Sequence, residues 1–225
     1  MILTLIGARP QFVKAAVVSK AFIDFQVPET ILHSGQHYDD RMSNVFWEEL
    51  KIPMPAFNLN LGSGSHAQQT AQIMTGLEEV ILQMNPLPKA LLLYGDTNTT
   101  VAGSLVAAKL NVPVIHIEAG LRSFNRTMPE EVNRVVTDHL SELLFCPSEK
   151  AVKQLEKEGI VKNVYDVGDV MYDSFLTFSA IAKKIQSAKD LPGVPEKDFI
   201  LLTLHRPVNT DQPEVLGKIL YELSL

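Results

Sequence analysis

Four polar blocks in this 225-residue chain hold the side chains best suited to chemistry, and each follows a short apolar run. Gly7-Ala8-Arg9-Pro10-Gln11-Phe12-Val13-Lys14 follows residues 2–6, and Gly95-Asp96-Thr97 follows 90–94. Glu118-Ala119-Gly120-Leu121-Arg122 follows 114–117, and His205-Arg206 follows 199–204. Carboxylates and histidine can move protons, while arginine and lysine can hold a phosphate or another anion. In open α/β sheets ligands bind beyond the carboxyl ends of strands, near helix N-termini. Two carboxylates, two or more cations and a histidine at four such ends therefore predict a polar pocket rather than scattered surface charge.

Each residue also has a purely structural reading. Asp96, before Thr97, Asn98 and Thr99, can cap a helix. Glu118 is harder to explain this way, because a carboxylate closing the run Val114-Ile115-His116-Ile117 is costly to desolvate without a purpose. Lys14 and Lys20 suit a solvated helix face, whereas Arg9 beside the first apolar run is better placed to hold phosphate. His205 can be a satisfied core histidine, and its place next to Arg206 equally admits a functional role. Glu130-Glu131 after Pro129 fit the first turn of a helix, where carboxylates complement the dipole.

Other patterns carry less. Gly62-Ser63-Gly64-Ser65-His66-Ala67 fits the dinucleotide pattern, but it lies on the third strand–helix unit and no acidic residue ends a strand about 20 positions on, where a ribose partner belongs. His33, His37, Asp39 and Asp40 read as one solvated loop without metal-site spacing. His116-Ile117-Glu118 mimics the start of a zinc deaminase signature, whose paired cysteines a chain with one cysteine, Cys146, cannot supply. No metal is expected.

The elements that must position these residues follow from the alternation of apolar runs with amphipathic stretches, which predicts a parallel sheet flanked by helices. Strands are expected at 2–6, 30–33, 57–61, 90–94, 114–117, 143–146, 163–167 and 199–204. Helices are expected from Pro10 through Lys20, through Phe46, Trp47 and Leu50, and over 68–84, 97–110, 130–140, 149–158 and 172–189. Leu191-Pro192-Gly193-Val194-Pro195 reads as a linker. Lys and Arg number 20 against 26 Asp and Glu, a net charge of −6, which leaves no electrostatic footprint for nucleic acid. The opening apolar run is too short for a membrane span, and one cysteine allows no internal disulfide. The expectation is a soluble, cytoplasmic α/β protein with neither a nucleic-acid nor a membrane partner.

The blocks Gly7-Ala8-Arg9-Pro10, Gly95-Asp96-Thr97, His116-Ile117-Glu118-Ala119-Gly120-Leu121-Arg122, Pro129-Glu130-Glu131-Val132-Asn133-Arg134 and Leu204-His205-Arg206 occur in one order. In that order they resemble the non-hydrolysing UDP-N-acetylglucosamine 2-epimerases over nearly the whole chain. The opening block and Gly35-Gln36-His37-Tyr38-Asp39 are more similar to the branch that includes epimerases of UDP-2,3-diacetamido sugars and uronates. The resemblance implies a GT-B architecture of two Rossmann-like domains. Residues 1–190 would form the first, 191–197 a linker, and 198–225 the start of a truncated UDP-binding domain, so that this polypeptide alone is expected to be inactive.

It further implies an isomerase of cell-surface polysaccharide biosynthesis that inverts carbon 2 of a UDP-2-acetamido sugar by elimination and re-addition of UDP. A homodimer is implied, with no cofactor and no metal in the chemistry. Position by position, Asp96, Glu118, Glu130 and His205 match the catalytic residues. Arg9 and Lys14 match substrate-binding residues, and Arg122, Arg134 and Arg206 within the same blocks are expected to join them. Gln36 matches an allosteric residue, although Gln72 and Asp39 replace an Arg and a Gln of that site. Val208 stands where the family's H-R-x-E-N has its acid. The alternatives are a GT-B glycosyltransferase, which would need an acceptor, and a non-catalytic domain that uses the same scaffold for binding or dimerisation. An NAD-dependent dehydrogenase ranks below both.

Overall fold

The computed structural model describes residues 1–35, 47, 49–62, 64–185, 192–194, 199–204 and 207–223. They fall into two compact units, Met1–Ala180 and Ile181–Leu225.

The first unit is built on a sheet of seven parallel strands: β1 (Ile2–Ile6), β2 (Glu29–His33), β3 (Phe57–Asn58), β4 (Ala90–Tyr94), β5 (Val114–Ile117), β6 (Leu143–Cys146) and β7 (Val164–Asp166). Their order is β3-β2-β1-β4-β5-β6-β7, so the winding reverses between β1 and β4. The helices are α1 (Arg9–Asp24), α2 (His66–Gln83), α3 (Asn98–Lys109), α4 (Pro129–Leu140), α5 (Glu149–Lys157) and α6 (Val170–Ile185).

A parallel sheet covered on both faces demands strands that are apolar throughout, and β4, with all five residues buried, shows this most clearly. Leu3, Leu5, Leu91 and Leu93 pack with Leu77 and Ile81 of α2 and Val106 and Ala107 of α3. The alternate residues Ile6, Leu92, Tyr94 and Ile115 pack with Phe12, Ala15 and Ala16 of α1. One set faces each way because side chains alternate along a strand.

Local signals set the helix starts. Pro10 lies in the first turn of α1, where a missing N–H costs nothing. The α3 N-cap is Thr97, whose Oγ1 accepts from the Thr100 N–H at 3.3 Å. Asp96 is thereby relieved of the capping role its position also allowed. Ser65 caps α2 in a capping box with Gln68, so the Gly-rich stretch before it leads into a helix whose first turn meets the start of α3, where Asn98 Nδ2 donates to Gln69 Oε1 at 2.8 Å.

Two expected strands differ. The third is shorter than 57–61: ladder pairing is confined to Phe57 and Asn58, because Asn60 takes φ of +52° and turns the chain out of extended geometry. The strand expected at 199–204 is absent. Those residues have no regular structure, and Ile200 and Leu201 are 87% and 82% exposed. A strand needs a neighbour to take its N–H and C=O groups, and among the described residues of the second unit there is none. That unit instead shows α7 (Pro207–Thr210) and α8 (Pro213–Leu223). Of the helix expected through Phe46, Trp47 and Leu50, residues 47 and 49 are described as helical. No helix among the described residues is long and apolar enough to cross a membrane.

Candidate active site

The reversal of strand order leaves a crevice beyond the carboxyl ends of β1 and β4. Gln11, on the first turn of α1 and 1% exposed, spans it. Its Oε1 accepts from the Gly7 and Ala8 N–H groups at 2.8 and 2.9 Å. Its Nε2 donates to Tyr94 O at 3.0 Å and lies 3.1 Å from both Thr97 Oγ1 and Thr100 Oγ1. This amide binds the loop after β1 to the loop after β4.

Two ion pairs stand at this edge. Lys14, one turn further along α1 and buried, bonds through Nζ to Oε2 of Glu118 at the end of β5. Glu118 has φ of +76°, a costly conformation for a residue with a Cβ, and its N–H and that of Ala119 both donate to Phe145 O at 3.0 Å. Gly95 (φ +65°) completes the contact, since a Cβ there would lie 3.1 Å from Glu118 Oε2 and 3.2 Å from Lys14 Nζ. The second pair joins Arg134 Nη2 to Asp96 Oδ2.

The Pro129–Arg134 block explains itself in this geometry. Asn133 Nδ2 donates to Asp96 O at 2.9 Å, and Arg134 holds the Asp96 carboxylate while Nη1 reaches Glu131 at 3.0 Å. Glu131, 2% exposed, accepts from Ser123 N and Oγ and from Phe124 N at 2.8–2.9 Å. Burial works to raise the Glu131 carboxyl, but these donors and Arg134 outweigh it and hold it below the usual range. Glu130, beside it on the first turn of α4, is exposed.

A buried network underlies the two loops. His116 on β5, fully buried, places Nδ1 2.7 Å from Asp138 Oδ1 and Nε2 2.8 Å from Gly95 O. Asp138 Oδ2 accepts from Gly120 N at 3.0 Å and from Arg122 Nη1 at 2.6 Å, and Arg122 also grips Glu158 through Nε and Nη2. Desolvation would raise Asp138, yet His116 and Arg122 pull it below the usual range. The same logic lowers Glu158, next to Arg122 and Gln154, and raises Arg122 against its own desolvation. Cys146 is buried, and desolvation followed by the charges of Asp138 and Asp166 pushes its thiol to about 12, far from a thiolate nucleophile.

Of the expected site residues, Lys14, Glu118, Asp96 and Arg134 gather around the ends of β4 and β5. Arg9, the first residue of α1, is exposed. Arg122 lies lower, its side chain 3% exposed and its guanidinium taken up by two carboxylates. His205, Arg206 and Gln36 lie outside the described residues, as do His37, Asp39 and Asp40 of the loop weighed as a metal site. Gln11, His116, Asp138 and Asn133 carry the geometry without a role assigned from sequence, and Glu131, expected only to complement the helix dipole, holds Ser123, Phe124 and Arg134. The Gln11 and Asn133 blocks were visible as motifs, whereas nothing in the sequence links Asp138 to His116.

A doubly covered parallel sheet with two acid–cation pairs at the ends of β4 and β5 defines a Rossmann-like domain. The chain belongs to the UDP-N-acetylglucosamine 2-epimerase family, whose model matches residues 23–224. It is 50% identical over 228 residues to the UDP-2,3-diacetamido-2,3-dideoxy-D-glucuronate 2-epimerase of Pseudomonas aeruginosa, covering 99% of this chain and 62% of that protein. It is also 50% identical over 220 residues to a UDP-N-acetylglucosamine 2-epimerase homolog of Methanococcus maripaludis, covering 97% and 61%. The crystal structure of Methanocaldococcus jannaschii UDP-GlcNAc 2-epimerase in complex with UDP-GlcNAc and UDP matches with a TM-score of 0.89 at 42% identity, over 99% of this chain and 62% of that one. The chain thus spans about 60% of the length of the relatives it matches.

Proposed function

We propose that this chain provides the acid–base half of an isomerase that inverts carbon 2 of a UDP-2-acetamido sugar. The observation that carries the reading is the meeting of Lys14–Glu118 and Arg134–Asp96 at the ends of β4 and β5 in a chain so close to named 2-epimerases. The C2–H bond is not next to a carbonyl, so direct deprotonation is very difficult. In the proposed route a base takes the C2 proton while the C1–O bond breaks. The electron pair of C2–H becomes the C1=C2 bond, and UDP leaves with the C1–O pair. UDP then adds back to C1, and C2 receives a proton on its other face.

Two faces call for separate acid–base groups in distinct surroundings. Asp96 and Glu118 sit on different loops and hold different cations, and Glu130 supplies a third, exposed carboxylate. Fixed positive charge must meet the departing diphosphate. Arg9 and Lys14 serve here on α1, with His205 and Arg206 as the remaining proposed contacts. Arg134 acts by orienting Asp96. Arg122, already held by Asp138 and Glu158, acts by fixing the loop after β5. Gln36 as a regulatory residue, a homodimeric assembly and a cytoplasmic location belong to the same proposal. The relatives are named for epimerisation, which favours it over glycosyl transfer.

The test is solvent exchange. The protein at its natural length, given UDP-N-acetylglucosamine in D2O without NAD or metal, is expected to place deuterium at C2. Protium retained at C2 throughout, with folded protein, would remove the reading.

A further inference from the structure

Beside Glu118, on the side away from Asp96, a cavity of about 180 Å³ opens at the carboxyl ends of β5, β6 and β7. Its walls are Val18 of α1, Ile117 and Phe145 at two strand ends, and Val167 and Val170 around the start of α6. Glu118 and Asp173 bring two carboxylates to this lining, and no cation is among its residues. The walls are held in place: Ser174 Oγ donates to Val13 O at 2.9 Å, tying α6 to α1, and Val167 N donates to Cys146 O at 3.0 Å.

This chemistry disfavours a diphosphate, which would meet carboxylates and apolar walls. It suits a short acyl group carried on an amide. Apolar walls take the alkyl end, and a carboxylate can accept the amide N–H. A water occupies roughly 30 Å³ in the liquid, so the cavity has room for about six such volumes, enough for a short acyl chain. We infer that this cavity is the acyl pocket of the site: it holds the N-acyl substituent on C2 of the nucleotide sugar and sets the acyl length the enzyme accepts. The inference rests on the epimerase reading above. The N-acyl nitrogen shares C2 with the hydrogen that moves, so a substrate presenting C2–H to Glu118 puts its acyl chain next to that carboxylate. The adjoining space is this one. Seating the acyl group there would also anchor C2 through both half-reactions while its hydrogen changes face.

The test uses the natural-length protein, two variants and a ladder of UDP-glucosamines bearing no acyl group, formyl, acetyl, propionyl or butyryl, with C2 deuterium incorporation as the readout. Val170→Phe fills the cavity and Val18→Ala enlarges it. Wild-type kcat/KM should peak at acetyl. The Phe variant should move the peak to formyl, and the Ala variant to propionyl or beyond. The relative preference should shift about tenfold or more per step, the scale of one methylene in an apolar pocket. Because the two variants push in opposite directions, a poorly folded Val170→Phe still leaves the Val18→Ala arm decisive. Exchange that keeps the wild-type acyl preference in every folded variant overturns the pocket and leaves the epimerase reading standing. A wild type with no exchange on any sugar of the ladder overturns both.

Discussion

Gln11 shows how one buried side chain can set the shape of a site. Five partners from both sides of the crevice converge on its amide, and its removal would strand the buried Gly7 and Ala8 N–H groups at about 1–3 kcal/mol apiece, whereas Tyr94 O keeps the Thr100 hydroxyl at 2.8 Å. Gln11→Ala should therefore lower the urea unfolding free energy by roughly 2–4 kcal/mol once partial relaxation is allowed for. A loss within error of zero would show that water replaces the amide. The carboxylates give a second handle. Glu131, Asp138 and Glu158 are all held below their ordinary range in the fold, so each contributes stability that is present above its unfolded value. Each contribution is lost as pH falls through the lower, folded one. Urea midpoints should thus be flat near neutrality and fall progressively below about pH 5. Asp138→Asn should flatten that fall, at the cost of about 1.5–3 kcal/mol for the lost hydrogen bond to the Arg122 guanidinium, which keeps Glu158 as its remaining anion. An unchanged acid slope in a folded Asp138→Asn protein would show that this carboxylate does not set it.

At the scale of elements, the turn after β5 is tightly constrained. Glu118 and Gly120 both take positive φ within three residues. A Cβ on Gly120 would stand 2.5 Å from Ala151 O, a backbone atom that can retreat only by moving α5. Gly120→Ala should cost more than the ~1–3 kcal/mol of a strained backbone residue alone, read as a lowered unfolding midpoint. A neutral substitution would mean that α5 shifts freely. Much of this architecture is legible in the amino acids. The runs at 2–6, 90–94, 114–117 and 143–146 are apolar but for Thr4 and His116, because both faces of a parallel sheet are covered, and they form strands with those bounds. What depends on a partner was less legible. Asn60 ends β3 through its backbone conformation, and Phe199–Leu204 has the composition of an interior strand without a neighbour to pair with. The site shows the same division. Asp96, Glu118 and Lys14 stand out by type and place, whereas Gln11 and Asp138 are ordinary residues until the fold brings their partners to them.

For the molecule as a whole, stability should be as unevenly spread as burial. Amide exchange on the 225-residue chain should show β4, buried along its length, protected to near the global unfolding free energy, while 200–204, without ladder bonds, exchange close to the unstructured rate. Strong protection at 200–204 would reveal a pairing that the fold described above does not contain. In the proposed reaction, the carboxylate that closes β5, set against Lys14, moves a proton at carbon 2. The measurement that reaches it most directly is the rate of C2 deuterium incorporation by natural-length Glu118→Gln protein, with UDP binding and the folded state checked alongside. The glutamine keeps an oxygen for Lys14 Nζ and loses the basic group together with its negative charge. The rate should fall at least about 10²-fold, the usual worth of a positioned acid–base group, with UDP still bound. Exchange at the wild-type rate would contradict the account.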